Sequence, residues 1–374
     1  MRITPPNYVA VSPHRYTTQV LNVATTSAAT AVPPHRRDPF FDNAKFLAIL
    51  LVAIGHFWEP IKGGNRALEG AYIAIYTFHM PVFILISGYF SRGFTLTGHR
   101  SKRLITSIAL PYVVFETAYS LFERHLGGNP AQPISLLDPI YLTWFLCVLF
   151  IWRLTTPIWR IVRWPVPLSL AIAILASLSP SIGNDLDMQR LLQFLPYFVV
   201  GLSLESAHLQ LLRQRFIRIA SILVACFALT LSWWVTPRMH TAWVYRRDSA
   251  PELDAPWWVG PVMTLAMFAC AMLLTACFFA WVPCRRTWFT TLGSGTLYGY
   301  LLHGFFRKAG QYWHWFDAEW LQNPIGVICV TLLSGALVIV LCTPPVQRIF
   351  RFAVAPQLQW LLKEGGQKTD GCRP

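Results

Sequence analysis

The stretch Phe40–Pro60, FFDNAKFLAILLVAIGHFWEP, decides how the chain is to be read. It is apolar over most of its length and long enough to cross a hydrocarbon core of about 30 Å as a helix, yet it carries Asp42, Lys45 and His56. On insertion scales an ionisable group at membrane depth costs about 2.5 to 3.5 kcal/mol, so each needs a partner, a cavity or a task. Asp42 precedes Lys45 by three residues, a spacing at which two helical side chains meet. Lys45 and His56 are separated by about three helical turns, so they share one stripe and lie about 16 Å apart along the axis. A cation toward one end of that stripe and an imidazole toward the other suggest a lined passage through which something long and anionic reaches a base.

The rest of the chain agrees with a bilayer setting. Of its 374 residues 54% are apolar and only 13% charged, and the mean hydropathy is +0.43, which excludes an ordinary water-soluble domain of this size. Apolar runs long enough to span recur ten times, over 40–58, 71–91, 104–122, 139–155, 165–181, 190–206, 217–236, 259–281, 293–311 and 325–342. The expected fold class is therefore an all-α, polytopic integral membrane protein of about ten transmembrane helices in the cell membrane. Residues 1–38 read as a disordered cytoplasmic tail with no long apolar core of the signal-peptide kind, residues 39–345 as the membrane domain, and residues 346–374 as a basic cytoplasmic tail.

The chain has 31 Lys and Arg against 17 Asp and Glu, a surplus that would suggest nucleic acid if it formed one patch. It is instead spread by topology. With the amino terminus in the cytoplasm, 21 basic residues fall in inside segments and nine in outside loops, with Lys45 in a span. The positive-inside rule then orients every span and puts both termini in the cytoplasm, with lipid rather than nucleic acid as the partner. The eight cysteines show no metal-ligand spacing, and Cys270, Cys277 and Cys284, seven apart, read as small packing residues at a helix contact. No phosphate-binding glycine loop or zinc-hydrolase pattern is present.

Few ionisable residues lie in the remaining spans. In IYTFHMPVFILISGYFSR, His79 falls near mid-helix, Met80–Pro81 loosens the helix, and Ser87–Gly88 lets another helix approach. Glu116 lies four residues after Tyr112, so the two can form a hydrogen-bonded pair. His303 lies in the ninth run. Taken singly, His56 and His79 are equally well read as histidines hydrogen-bonded to a neighbouring helix or a freed carbonyl. Arg92, Arg100, Lys102 and Arg103 cluster in the segment after the second run, SRGFTLTGHRSKRL, as either a positive-inside loop or a phosphate-binding one. The outside loop 237–258 joins Trp243, Tyr245, Trp257 and Trp258 to Arg246, Arg247 and Asp248, a set suited to stacking and hydrogen-bonding a sugar or to an aromatic belt at the interface.

From about 38 to 345 the chain resembles the membrane acyltransferase-3 family of O-acetylases, in particular its fucose-4-O-acetylase-like branch. The landmarks are FFDNAKFLAILLVAIGH, YTFHMPVFILISGYF, KRLITSIALPY, YLTWFLCVLF, LPYFVVGLSL and LGSGTLYGYLLHGFF, in the family's order. The first often has arginine where this chain has Lys45, so the bidentate fork is replaced by a point charge. The resemblance implies transfer of an acyl group, usually acetyl, from cytoplasmic acyl-CoA to a hydroxyl of a sugar or similar acceptor, with no metal. It implies His56 as catalytic base, His79 holding the acceptor or the thioester carbonyl, and Asp42 and Lys45 as the charged pair. It implies Glu116 as a further catalytic, pore-lining residue, Arg92, Arg100, Lys102 and Arg103 fall where the donor's phosphates would dock, and His303 receives no role beyond packing. The competing classes are a transporter or flippase of a carbohydrate or lipid-linked intermediate, which would show broken helices in two matching halves, and an inactive scaffold.

Overall fold

The computed structural model describes residues 38–183 and 185–356. The tails expected at 1–38 and 346–374 fall largely outside this range. Among the described residues there are helices and no strands. Ten helices carry the fold: α1 Pro39–Trp58, α2 Arg66–Ser91, α3 Gly98–His125, α4 Trp144–Ile161, α5 Pro165–Leu178, α6 Met188–Ser203, α7 Arg215–Val235, α8 Val259–Trp281, α9 Thr296–Tyr312 and α10 Pro324–Leu341.

Seven of these, α1 to α4, α7, α8 and α10, are long and apolar enough to cross a membrane, which makes the chain a multi-pass membrane protein. The other three coincide with expected runs but have 14, 16 and 17 residues, about 21 to 26 Å of helix at 1.5 Å per residue. Each is cut short by its ends. Helix α5 starts on Pro165 and gives way to an extended Ser179, α6 starts after two residues in left-handed conformation, and α9 follows the 3₁₀ turn Leu292–Gly295.

Local chemistry sets the other boundaries. Asp38 caps α1 by accepting from Phe40 N at 2.9 Å, with Pro39 at the first helical position. Asn65 caps α2 through Leu68 N at 3.1 Å. Helix α3 begins at Gly98 rather than near 104, because Thr97 is extended and the following Arg100, Lys102 and Arg103 are good helix formers. Of the expected basic loop, Arg100, Lys102 and Arg103 therefore lie in the first two turns of a helix, while Arg92 caps the end of α2. Within α3, Ile105–Ala109 winds as a π-helix.

Helices α2 and α6 cross where Gly88 meets Gly201. A Cβ built on Gly88 would lie 2.3 Å from Phe198 O, and one on Gly201 2.4 Å from Leu85 O, so only glycine permits this approach. Large side chains fill the centre. Trp152 donates to Leu191 O at 3.1 Å and stacks on Phe198, and Tyr119 stacks on Phe305 with ring centres 4.0 Å apart while donating to Leu301 O. The periphery is apolar: only 6% of the α7 window is buried, and Phe216, Leu223 and Phe227 face outward, as lipid contact requires. Cys270 and Cys284 are also exposed, so they do not sit at the helix contact expected of them.

Candidate active site

A cavity of about 300 Å³ opens at the end of the bundle where α1 finishes and α2 begins, at the small end of the range of ligand pockets. His56 and Glu59 from the end of α1, Tyr76 and His79 from α2, and Tyr300 from α9 line it. The turn before α4 adds Tyr141 and the first residue of α4 Trp144, the start of α6 adds Asp187 and Arg190, and the loop between α7 and α8 adds Tyr245 and Arg247. The structure thus brings His56 and His79 to one space. Of the loop 237–258, it brings in Tyr245 and Arg247, while Trp257 and Trp258 point outward.

His56 is held by a chain of hydrogen bonds that fixes its protons. His303, fully buried on α9, approaches Gly299 O with Nδ1 at 2.8 Å. A carbonyl only accepts, so that Nδ1 carries hydrogen, and in the neutral ring Nε2 is left as an acceptor. His56 Nδ1 lies 3.0 Å from His303 Nε2, with the two rings stacked at 9°. His56 Nδ1 is therefore the donor, and its Nε2 keeps a free lone pair. The backbone of the same residue is clamped: buried Arg307 donates from Nε to His56 O at 3.1 Å, pairs with Glu59 at 3.2 Å and donates to Gln311 Oε1 at 2.6 Å.

His79 donates from Nδ1 to Ile75 O at 3.0 Å. This is not the carbonyl freed by Pro81, which belongs to Thr77. In the neutral ring its Nε2, too, can only accept. On the opposite wall Asp187 binds Arg190 at 2.7 Å, and Arg190 also donates to Tyr245 O and lies over Trp144, its guanidinium carbon 4.9 Å from the ring centre. Leu186 and Asp187 both have φ near +55°, a conformation costly for side-chain-bearing residues and common at functional sites. Tyr72 and Tyr245 share a hydrogen bond at 2.8 Å, and burial pushes the Tyr245 phenol up from its ordinary value.

The remaining expected residues lie elsewhere. Asp42 and Lys45 form the anticipated ion pair at 2.8 Å, near the start of α1 and away from the cavity lining. Glu116 does not pair with Tyr112. It accepts from Ile140 N at 3.0 Å and Thr143 Oγ1 at 2.5 Å, capping the turn that leads into α4, while Tyr112 donates to Leu136 O. Neither lines the cavity. Arg92 is a tether, donating to Tyr89 O and Leu204 O, and Arg100 holds Gly93 O and Thr95 Oγ1. With Lys102 and Arg103 it stands at the start of α3, outside the cavity lining.

Sequence reasoning singled out His303 but gave it packing only, and missed Arg307, Tyr141 and the Asp187–Arg190 pair. A signal existed for His303, an ionisable residue in an apolar run like His56. For the others the meaning lies in contacts between distant segments. Among the described residues no group of three or more His, Cys, Asp or Glu is placed to hold a metal.

The chain matches the family model described as "Acyltransferase domain" over residues 38–343. It is 27% identical over 310 residues to "Nodulation protein NolL" of Sinorhizobium fredii, which covers 73% of this chain and 82% of that protein. To the "Nodulation protein NolL" of Mesorhizobium japonicum it is 41% identical over 81 residues, 19% of this chain and 22% of the other. No solved structure matches the chain.

Proposed function

The chain belongs to the acyltransferase family and is an O-acyltransferase, and on that premise we propose that it moves an acyl group, usually acetyl, from cytoplasmic acyl-CoA to a hydroxyl of a sugar or similar acceptor, with His56 Nε2 as general base. The observation that carries this reading is the hydrogen-bond chain Gly299 O, His303, His56, which leaves one imidazole lone pair in a cavity. An imidazole has an ordinary pKa of about 6.5 and suits proton removal from a hydroxyl near neutral pH.

In the reaction the acceptor oxygen attacks the thioester carbonyl carbon and its proton passes to His56 Nε2. The tetrahedral species collapses, the carbon–sulfur bond breaks, and the thiolate leaves with the proton from His56. His79, an acceptor at Nε2, holds a second hydroxyl of the acceptor, since the attacking hydroxyl gives its one hydrogen to His56 and a thioester carbonyl offers no donor. Lys45, positioned by Asp42, receives the donor's anionic end on the cytoplasmic side with Arg100, Lys102 and Arg103, and the acyl arm runs along α1 toward His56. Ten spans with both termini inside, in the cell membrane, accord with the 21 to nine division of basic residues. The domain then runs over 39–345, with Glu116 supporting the α4 turn instead of acting in catalysis.

The test is His56→Ala, purified in full length and supplied with acetyl-CoA and a panel of methyl hexopyranosides, with free-thiol release as the readout. Loss of a general base costs about 10² to 10⁴ in rate, and donor binding should stay unchanged. Turnover above about a tenth of wild type would remove His56 from the mechanism.

A further inference from the structure

The proposed reaction needs something that neither histidine supplies. When the hydroxyl attacks, the carbonyl π pair moves onto oxygen, and that oxyanion needs a hydrogen-bond donor. Neutral His56 and His79 present acceptors, because their Nδ1 hydrogens are committed to His303 and Ile75 O. The Tyr300 hydroxyl is committed to Leu142 O at 2.6 Å, and Arg190, though it keeps further N–H groups, is held by Asp187 and Tyr245 O.

Arg247 and Trp144 also bring N–H groups to the lining, but Tyr141 is set apart by the burial of its hydroxyl. Tyr141 carries a buried hydroxyl with no hydrogen-bond partner, and of the buried polar atoms in this condition among the described residues it is the one that belongs to the cavity. Native proteins rarely leave such a group unpaired, and an exception calls for an explanation. Its ring centre lies 5.5 Å from that of His56, so the two rings border the same volume, with the hydroxyl covered in the resting structure and within reach of an acyl oxygen once the side chain turns. Its backbone has φ +52°, in the left-handed region that a tyrosine occupies only when its surroundings insist. The cations nearby add to the case: Lys308 Nζ stands 5.3 Å from the ring centre, and buried Arg307 is bonded to His56 O. Outside the helices, burial pushes this phenol well above its ordinary range, so it keeps its proton and remains a donor.

We infer that the Tyr141 hydroxyl is the oxyanion donor, a catalytic residue that hydrogen-bonds the former thioester carbonyl oxygen in the tetrahedral species. This rests on the acyl-transfer reading above. The bond is absent in the resting enzyme, where the hydroxyl waits unpaired, and forms as negative charge develops on oxygen. When the species collapses, the C=O bond reforms, the thiolate departs and the tyrosine keeps its hydrogen throughout.

Tyr141→Phe tests this with a single oxygen. In the purified full-length enzyme, with acetyl-CoA as donor and methyl hexopyranosides or water as acceptor, kcat should fall about 10²- to 10³-fold, the cost of one oxyanion donor, with KM for acetyl-CoA within twofold. Removing an unpartnered buried hydroxyl takes nothing from the resting fold, so the melting temperature should be equal or higher. Turnover within tenfold of wild type would overturn the assignment, and so would a fall in melting temperature alongside the loss of activity, which would make the hydroxyl structural. A wild-type protein that releases no thiol with any of these acceptors would instead refute the reading of acetyl-CoA and a hexopyranoside hydroxyl as its substrates.

Discussion

Replacing His303 with alanine should slow turnover without touching the donor, and the size of the effect follows from the proton order in the site. In the native arrangement His56 Nδ1–H is satisfied by His303 Nε2 at 3.0 Å. Without that acceptor the N–H would be left buried and unpaired, at a cost of about 1 to 3 kcal/mol. The ring escapes by moving its hydrogen to Nε2 or by turning, and either response points a donor where a base is needed. At 1.36 kcal/mol per decade, kcat should fall about five- to 150-fold with KM for acetyl-CoA unchanged. His303 is fully buried, so alanine also leaves a void and lowers the melting temperature. His303→Gln separates the effects, since its amide oxygen can accept from His56 while filling most of the volume. It should recover most of the lost kcat. The assay is thiol release under saturating donor with thermal denaturation alongside. A His303→Ala enzyme within twofold of wild-type kcat, or a Gln variant as slow as the Ala variant at equal stability, would refute the positioning argument.

At the α2–α6 crossing, Gly88→Ala should lower stability by about 1 to 3 kcal/mol, since the new methyl meets backbone atoms that cannot rotate away. A melting temperature equal to wild type would show that the helices part at no cost. Replacing Arg100, Lys102 and Arg103 together with Gln should raise KM for acetyl-CoA more than KM for the acceptor, because cations bind the donor's phosphates. An unchanged donor KM in a correctly inserted variant would reduce this cluster to an orientation signal.

The helices were legible because a bilayer imposes a length and a polarity on each one: seven of the ten apolar runs fall on helices long and apolar enough to span, and the other three on shorter helices. Asp42–Lys45 was legible for a similarly local reason: three residues on one helix fix their meeting. His56 and His79 stood out by the cost of putting imidazole in lipid. What escaped depends on contacts across the fold. Glu116 sits four residues from Tyr112, yet its partners come from the turn at 140–143, and no spacing within a helix reveals that. His303 owes its importance to a ring 247 residues earlier in the chain. Helix ends were misjudged where the signal was not hydrophobicity: α3 extends through charged residues that resemble a loop only by composition.

The π-helical turn at Ile105–Ala109 makes α3 a jointed rod. Its wider hydrogen-bonding step, i to i+5, accommodates one residue more than an α-helical turn, and one residue is worth about 100° around a helix axis. The basic residues before the joint and Glu116 and Tyr119 after it are thus set in angular phase by an insertion, and either half can drift in sequence without disturbing the other's packing. Deleting one residue inside the joint would leave a regular helix and rotate Arg100 and Arg103 against Glu116 and Tyr119 by roughly that quarter turn. In relatives of this chain, gain or loss of a single residue at this point would act as a gear change, re-aiming the cationic end while the packed segment around Glu116 and Tyr119 stays where it is.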